Sequence, residues 1–397
     1  MINTLKKLKT VKLLYTLIFK FVGMLPADEK AIIFESYLGK QYSCNPRALY
    51  EYIKTNHPEY KLYWSIDPKH ISAFQGRELN ILYRFSIKWL IKMARAKFWV
   101  FNSRAPLWIP KPRHTIYLQT WHGTPLKKLA RDMKEVHMPG TTTEIYKRNF
   151  INESKRWDYL ISPNTYSTEK FRNAFDFNKD IIETGYPRND FLYNFNKEET
   201  INNIKINLNL STNKKVILYA PTWRDNEYHN IGKYKFNLQL DLASMQKTIG
   251  DDFIILLRMH YLIADKIDLS NFKEFAYDLS NHEDIRELYL ISDILITDYS
   301  SVFFDYANLK RPIIFYMYDI ENYRDSLRGF YFNIEQDAPG PVVKYTEEVI
   351  EEVLRLSKDN FELAQNFEVF FSNYCYLESG NSSKNVFNNV FRKDSIS

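Results

Sequence analysis

What most constrains this chain is a series of continuous apolar runs of strand length, set apart by stretches with helical spacing. They fall at residues 31–34, 62–66, 98–101 and 115–119, and again at 216–220, 253–257, 294–297 and 312–316. A strand apolar at every position suits a parallel sheet covered on both faces, where a one-sided sheet would alternate. Parallel neighbours need crossovers, so the helical stretches between the runs predict right-handed βαβ connections. Asn45-Pro46 reads as an N-cap followed by proline at the first helical position, opening a helix through Tyr50 and Ile53. A helix is expected over 85–94, short strands at 159–161 and 181–184, and closing helices over 346–356 and 360–371 that pack back across the preceding domains. The fold class is therefore α/β.

A chain of 397 residues suggests two or three domains at roughly 150 residues each. The polar, Asn-rich segment Glu198–Lys215 is the best linker, which divides the chain into an N-terminal segment 1–27, a domain 28–205 and a domain 206–397. With 45% hydrophobic and 26% charged residues and only 11 Gly and 15 Pro, whole-chain disorder and collagen-like repetition are excluded. The 16% aromatic content fits thick cores at least as well as a stacking surface. Cys44 and Cys375 lie too far apart in sequence to suggest a disulfide framework or a cysteine-based zinc site, which fits a reducing, cytoplasmic setting.

The net charge of +6 says only that anionic partners are tolerated; its distribution says more. Before Pro26 stand Lys6, Lys7, Lys9, Lys12 and Lys20 with no acid, interleaved with Leu5, Leu8, Val11, Leu14, Leu17, Ile18 and Phe21. This is a basic amphipathic helix, and Lys20 interrupts it well short of the ~20 apolar residues that span a bilayer. It suits an anionic membrane surface; an ordinary helix packed on the protein is the competing reading.

Polar clusters follow directly on the strand ends, where open parallel sheets bind ligands. The run at 115–119 leads into Trp121-His122-Gly123-Thr124-Pro125-Leu126-Lys127-Lys128, and that at 216–220 into Pro221-Thr222-Trp223-Arg224. Arg258-Met259-His260 and Asp298-Tyr299-Ser300-Ser301, with Asp305 beyond, follow the next two. These four edges are expected to converge on one cleft. The Asp298–Ser301 segment suits a phosphate at a helix N-terminus, or simple capping by Asp298 or Ser300. Arg258 and His260 would face one side if their strand continued, a cationic pair for a diphosphate. His122 beside a glycine that permits close approach suits proton transfer near neutral pH. Arg188, in the turn Gly185-Tyr186-Pro187-Arg188-Asn189-Asp190, is either a surface residue or a cleft residue. No Walker A, G-x-G-x-x-G, H-E-x-x-H, G-x-S-x-G or Asp-x-Asp pattern occurs, which favours a metal-independent transfer resting on cationic side chains.

Taken in order, the segments 121–127, 186–189, 220–224, 257–260 and 297–301 with Asp305 resemble the CDP-glycerol glycerophosphotransferase family of Gram-positive teichoic acid synthesis. Arg328-Gly329-Phe330-Tyr331 and Pro339-Gly340-Pro341 resemble its C-terminal region. The resemblance implies a GT-B-like pair of Rossmann-type domains facing a cleft, CDP-glycerol as donor and no cofactor or metal. It also implies peripheral attachment to the cytoplasmic face of the cell membrane. It places the two catalytic histidines at His122 and His260. Donor-binding positions fall at Trp121, Gly123, Thr124, Pro125, Arg188, Pro221, Thr222, Arg258, Met259, Ser300, Ser301 and Asp305. The implied reaction moves glycerol phosphate to a primed undecaprenyl-diphosphate-linked saccharide and releases CMP. His122 would be the base, with the roles of the two histidines open to exchange. The absence of a long extra region before the motifs points to a short transferase. A primase acting on the bare lipid-linked ManNAc-GlcNAc disaccharide is the alternative within the family. A non-catalytic membrane scaffold is the alternative outside it, and a CDP-ribitol donor is disfavoured. Nothing points to nucleic acid, while homo-oligomers and contacts with other teichoic acid enzymes stay open.

Overall fold

Strands form where the apolar runs lie, and the computed structural model shows why those runs do not alternate. It describes residues 9–136, 140–222, 228–230, 233–234, 238–259, 267–320, 329–358 and 361–392. The chain makes two compact units. The first takes in Met1–His122, Thr142–Asp190 and Leu377–Ser397, and the second Gly123–Thr141 and Phe191–Tyr376.

The first unit holds seven parallel strands: β1 (Asp28–Glu35), β2 (Lys61–Ile66), β3 (Ile81–Tyr83), β4 (Ala96–Phe101), β5 (Ile116–Gln119), β6 (Tyr159–Ser162) and β7 (Asp180–Glu183). Their order is β3-β2-β1-β4-β5-β6-β7, so the chain works outward from β1 to one edge, returns to β4 and works outward to the other. The carboxyl ends of β1 and β4 are thus the topological switch point, where such sheets bind ligands. Ile32, Phe34, Phe98 and Val100 face one core cluster, which the C-terminal Val386, Phe387, Val390 and Phe391 complete. On the alternate positions, Trp99 contacts Phe101 and Tyr117, and Phe19 of the N-terminal helix packs on Trp99 and Trp89. Much of the aromatic content is therefore core.

In the second unit β8 (Lys215–Ala220) is followed by a small hairpin, β9 (Tyr228–Asn230) and β10 (Lys233–Tyr234). β11 (Phe253–Leu257), β12 (Ala276–Asp278), β13 (Ile294–Thr297), β14 (Ile313–Tyr316) and β15 (Val342–Val343) complete a six-stranded sheet in the order β12-β11-β8-β13-β14-β15. Every pairing in it is parallel, and its switch point lies between β8 and β13. In β8, Val216, Leu218 and Ala220 enter one core cluster, and Ile217 and Tyr219 enter another. With both faces covered, every position from Val216 to Ala220 is apolar and buried.

Three expectations change. The presumed linker contains the helix Glu198–Asn207, whose Ile201 and Ile204, with Leu208 beyond, pack on the core. Its many asparagines obscured a helical period that is present. The helix expected from Asn360 runs over Phe367–Tyr374. The helix expected at Asn45-Pro46 spans Cys44–Asn56 with Ser43 as N-cap, so Asn45 does not cap it and its side chain is turned to another task.

Candidate functional site

In the first unit the chain leaves β5 at Gln119 and turns through Trp121, which holds a left-handed φ of 51°. That conformation is uncommon for a bulky side chain and persists only where surroundings enforce it. Here the Trp121 N–H donates to Gln119 Oε1 (3.0 Å), and the Trp121 carbonyl accepts from Asn45 Nδ2 (3.2 Å). The indole is buried among Phe150, Phe171 and Phe175 and stacks on the His122 imidazole at 4.5 Å between ring centres. The turn thereby presents His122 toward the switch point. His122 Nδ1 lies 2.8 Å from the carbonyl of Asn102, which follows β4. Tyr37, which follows β1, meets the imidazole edge-on at 5.6 Å. The Asn102 side chain ties these ends together, accepting from the Tyr37 N–H (2.8 Å) and donating to Ser36 Oγ (3.0 Å).

The His122 ring keeps solvent access, yet protein crowds it. Loss of hydration pushes its pKa down to about 4; the Asn102 carbonyl opposes the shift and the Arg188 charge adds to it. The consequence is the direction: the ring is neutral at pH 7. A neutral imidazole bonded to a carbonyl through Nδ1 carries its proton there, which leaves Nε2 as a free acceptor.

Arg188 is buried, so the surface reading fails. It sits in the 3-10 turn Pro187–Asn189, with its guanidinium over the Tyr186 ring (4.7 Å) and Nη1 donating to Cys44 Sγ (3.2 Å). The turn is clamped from the C-terminal segment: Glu378 Oε1 accepts from the Tyr186 N–H and from Asn189 Nδ2, both at 2.9 Å. Asp190 accepts from the N–H groups of Ser382 and Ser383, both at 2.8 Å.

The second unit begins inside the same motif, at Gly123. A Cβ there would stand 3.1 Å from Ser301 Oγ, so the glycine serves a close approach to the β13 loop. Thr124, Pro125 and Leu126 are buried. The following stretch pairs with residues 329–331: Lys128 N–H donates to Gly329 O (3.1 Å), Tyr331 N–H to Leu126 O (2.9 Å), and the Tyr331 hydroxyl bonds Asp132. At the switch point the Thr222 N–H donates to Asp298 Oδ1 at 2.7 Å, which joins the ends of β8 and β13 beside buried Pro221. The N-cap position of the next helix is Ser301 and not Asp298. The helix after it is only Val302–Tyr306, with Ser301 as N-cap making no side-chain capping bond. Ser300 and Ser301 are half-buried and Asp305 is buried. Arg258 follows β11 and donates through Nη1 to the carbonyls of Leu279 (2.9 Å) and Ser280; Met259 is buried beside it, its N–H on Ser280 Oγ (3.0 Å). His260, Trp223, Arg224 and Arg328 lie outside the described residues.

Within the first unit, then, Trp121, His122 and Arg188 come together. Within the second, Gly123 meets Ser301, and Thr222 meets Asp298. Sequence reasoning missed Asn45, Asn102, Tyr37 and Glu378 as site residues; of these only Asn45, in its Asn-Pro pair, carries a signal, and that signal points to a cap where the structure has a link between two turns. Among the described residues no group of three or more His, Cys, Asp or Glu is placed to hold a metal ion.

Residues 17–392 match the family described as CDP-Glycerol:Poly(glycerophosphate) glycerophosphotransferase. A teichoic acid poly(glycerol phosphate) polymerase of Bacillus subtilis is 59% identical over 97% of this chain, which spans about half (52%) of that relative's length. A polymerase of the same description from Bacillus spizizenii is 60% identical, over 94% of this chain and 95% of its own. The teichoic acid glycerol-phosphate transferase of Staphylococcus aureus is 47% identical, over 98% and 99%. Chain length therefore does not separate polymerases from short transferases. A solved histidine variant of the wall teichoic acid polymerase TagF, soaked with CDPG, superposes with a TM-score of 0.88 at 45% identity, over 96% of this chain and 92% of its own.

Proposed function

Because the chain belongs to the CDP-glycerol:poly(glycerophosphate) glycerophosphotransferase family, we propose that it transfers glycerol phosphate from CDP-glycerol to a primed undecaprenyl-diphosphate-linked saccharide in wall teichoic acid synthesis. The acceptor hydroxyl oxygen bonds to the glycerol-bearing phosphorus, the P–O bond to the CMP phosphate breaks, and the hydroxyl proton passes to Nε2 of His122. The observation that carries this reading is His122 itself: neutral, fixed by Asn102 at the switch point of its sheet, with Nε2 left to accept. Trp121 stacks on that base and holds it, and Arg188 supplies positive charge beside it for the donor's phosphates. Thr222, Arg258, Ser300, Ser301 and Asp305 are assigned to the donor's polar groups, and Gly123, Thr124, Pro125, Pro221 and Met259 shape the approach. His260 is assigned to the departing CMP phosphate. Positioning and electrostatics dominate such phosphoryl transfers.

Among the described residues no helix is long and apolar enough to cross a membrane. Attachment is instead assigned to the helix Lys9–Val22. Leu13, Leu14, Leu17, Ile18 and Phe21 are exposed on it, and Ile87 and Ile91 on the helix packed beside it. Such a face, flanked by lysines, suits an anionic leaflet at the cytoplasmic surface.

The donor is tested by competition. CDP-glycerol should be consumed with CMP release and UDP-sugars should not compete, while His122→Ala should lower CMP release about a hundredfold or more. Undiminished release from that variant would remove His122 as the base, and no release from the wild type would return the chain to a scaffold role.

A further inference from the structure

Asn45 carries the clearest task that the reading above leaves unassigned. Its side chain is fully buried and lies between two turns distant in sequence. Nδ2 donates to the carbonyls of Thr120 (3.1 Å) and Trp121 (3.2 Å). Oδ1 accepts the N–H of Arg188 (3.1 Å). One planar amide thus makes three bonds, two to the strained turn that presents the imidazole and one to the turn that presents the guanidinium. A buried amide so fully used fixes geometry, because no water stands ready to replace a lost partner. The neighbouring Cys44 reinforces the arrangement: it holds a φ of 63° and accepts from Arg188 Nη1 through its sulfur.

We infer that Asn45 is a positioning residue that sets His122 and Arg188 relative to one another, so that the proton acceptor and the cation meet the substrate in one fixed geometry. The inference rests on the proposed transfer reaction. It also predicts different consequences for the two ends of the amide. Asn45→Asp retains an oxygen for the Arg188 N–H but sets an oxygen against the carbonyls of Thr120 and Trp121, so the His122 end is released and the Arg188 end is kept. Asn45→Ala releases both.

The test compares kcat and KM for CDP-glycerol in the full-length wild type and both variants, corrected for folded fraction. Asn45→Asp should lose about tenfold to a hundredfold in kcat with KM for CDP-glycerol within about twofold of wild type, whereas Asn45→Ala should lose kcat and also raise KM. If Asn45→Asp does not fold, Asn45→Ser takes its place, since its hydroxyl is too short to reach both turns; it should then match Asn45→Ala. An unchanged kcat, or an equal loss in both variants with KM unchanged, as depleted folded protein would give, overturns the inference. A second readout does not depend on turnover. The pH dependence of His122 carbethoxylation by diethyl pyrocarbonate, followed by peptide mass spectrometry, reports the neutral imidazole. Its surroundings are Arg188, Tyr37, Trp121 and the Asn102 carbonyl. In Asn45→Ala the midpoint should rise toward the ordinary ~6.5 as Arg188 moves away and water enters; an unmoved midpoint contradicts the inference. If the wild type does not turn over CDP-glycerol, the functional reading falls, and the labelling midpoint alone decides the role of Asn45.

Discussion

His122 takes its protonation state and its aim from residues that the sequence does not place beside it. Loss of hydration and the charge of Arg188 keep the imidazole neutral well below pH 7. The acid limb of kcat/KM, which reports the free enzyme, should therefore show no loss attributable to His122 between pH 5 and 8, by the direction of that shift. Bound donor adds negative charge, which favours the imidazolium, so the acid limb of kcat should lie at higher pH than that of kcat/KM. A pH series of both parameters checks the sign, and a limb of kcat at the lower pH would contradict it. At this scale the sequence was half legible. A strand-end histidine next to glycine announces chemistry, but Asn102 and Tyr37 reach His122 only because β4 and β1 end side by side. That adjacency follows from strand order, which no local pattern encodes.

Turns and edge strands carry the next layer. Gly185 has φ +78°, and a Cβ there would lie 2.6 Å from Ser382 Oγ and 2.7 Å from Glu378 Oε2. Gly185→Ala should thus destabilise the first unit by about 2 kcal/mol or more and displace Arg188, read as a lower denaturation midpoint with a raised KM for CDP-glycerol. Gly340 explains part of its motif without ligand chemistry. A Cβ there would stand 1.9 Å from the Ile313 carbonyl oxygen, so Gly340→Ala should push β15 off β14 and lower the midpoint of the second unit. The long apolar strands were legible because burial on both faces makes them continuous. β3, β12 and β15 were not, since two or three residues show no period. The division between His122 and Gly123 was equally hidden: the motif reads as one segment, yet its second half pairs with residues 329–331.

For the whole molecule, membrane attachment and acceptor choice are the properties that matter. Removing residues 1–25 is a poor test of attachment, because Phe19 is buried against Trp89 and Trp99, and losing a core Phe costs about 3–5 kcal/mol. Leu14→Ser with Phe21→Ser alters only exposed side chains; it should abolish flotation with anionic liposomes while leaving thermal stability near wild type, and unchanged flotation would remove the helix from the account. Acceptor choice defines the reaction. Its most direct test is a mass-resolved product assay with CDP-glycerol and two synthetic lipid-linked acceptors, a bare disaccharide and the same disaccharide carrying one glycerol phosphate. The primed acceptor alone should be extended, with one CMP released per unit added; extension of the bare disaccharide, or neither product nor CMP from either acceptor, would contradict the proposed reaction.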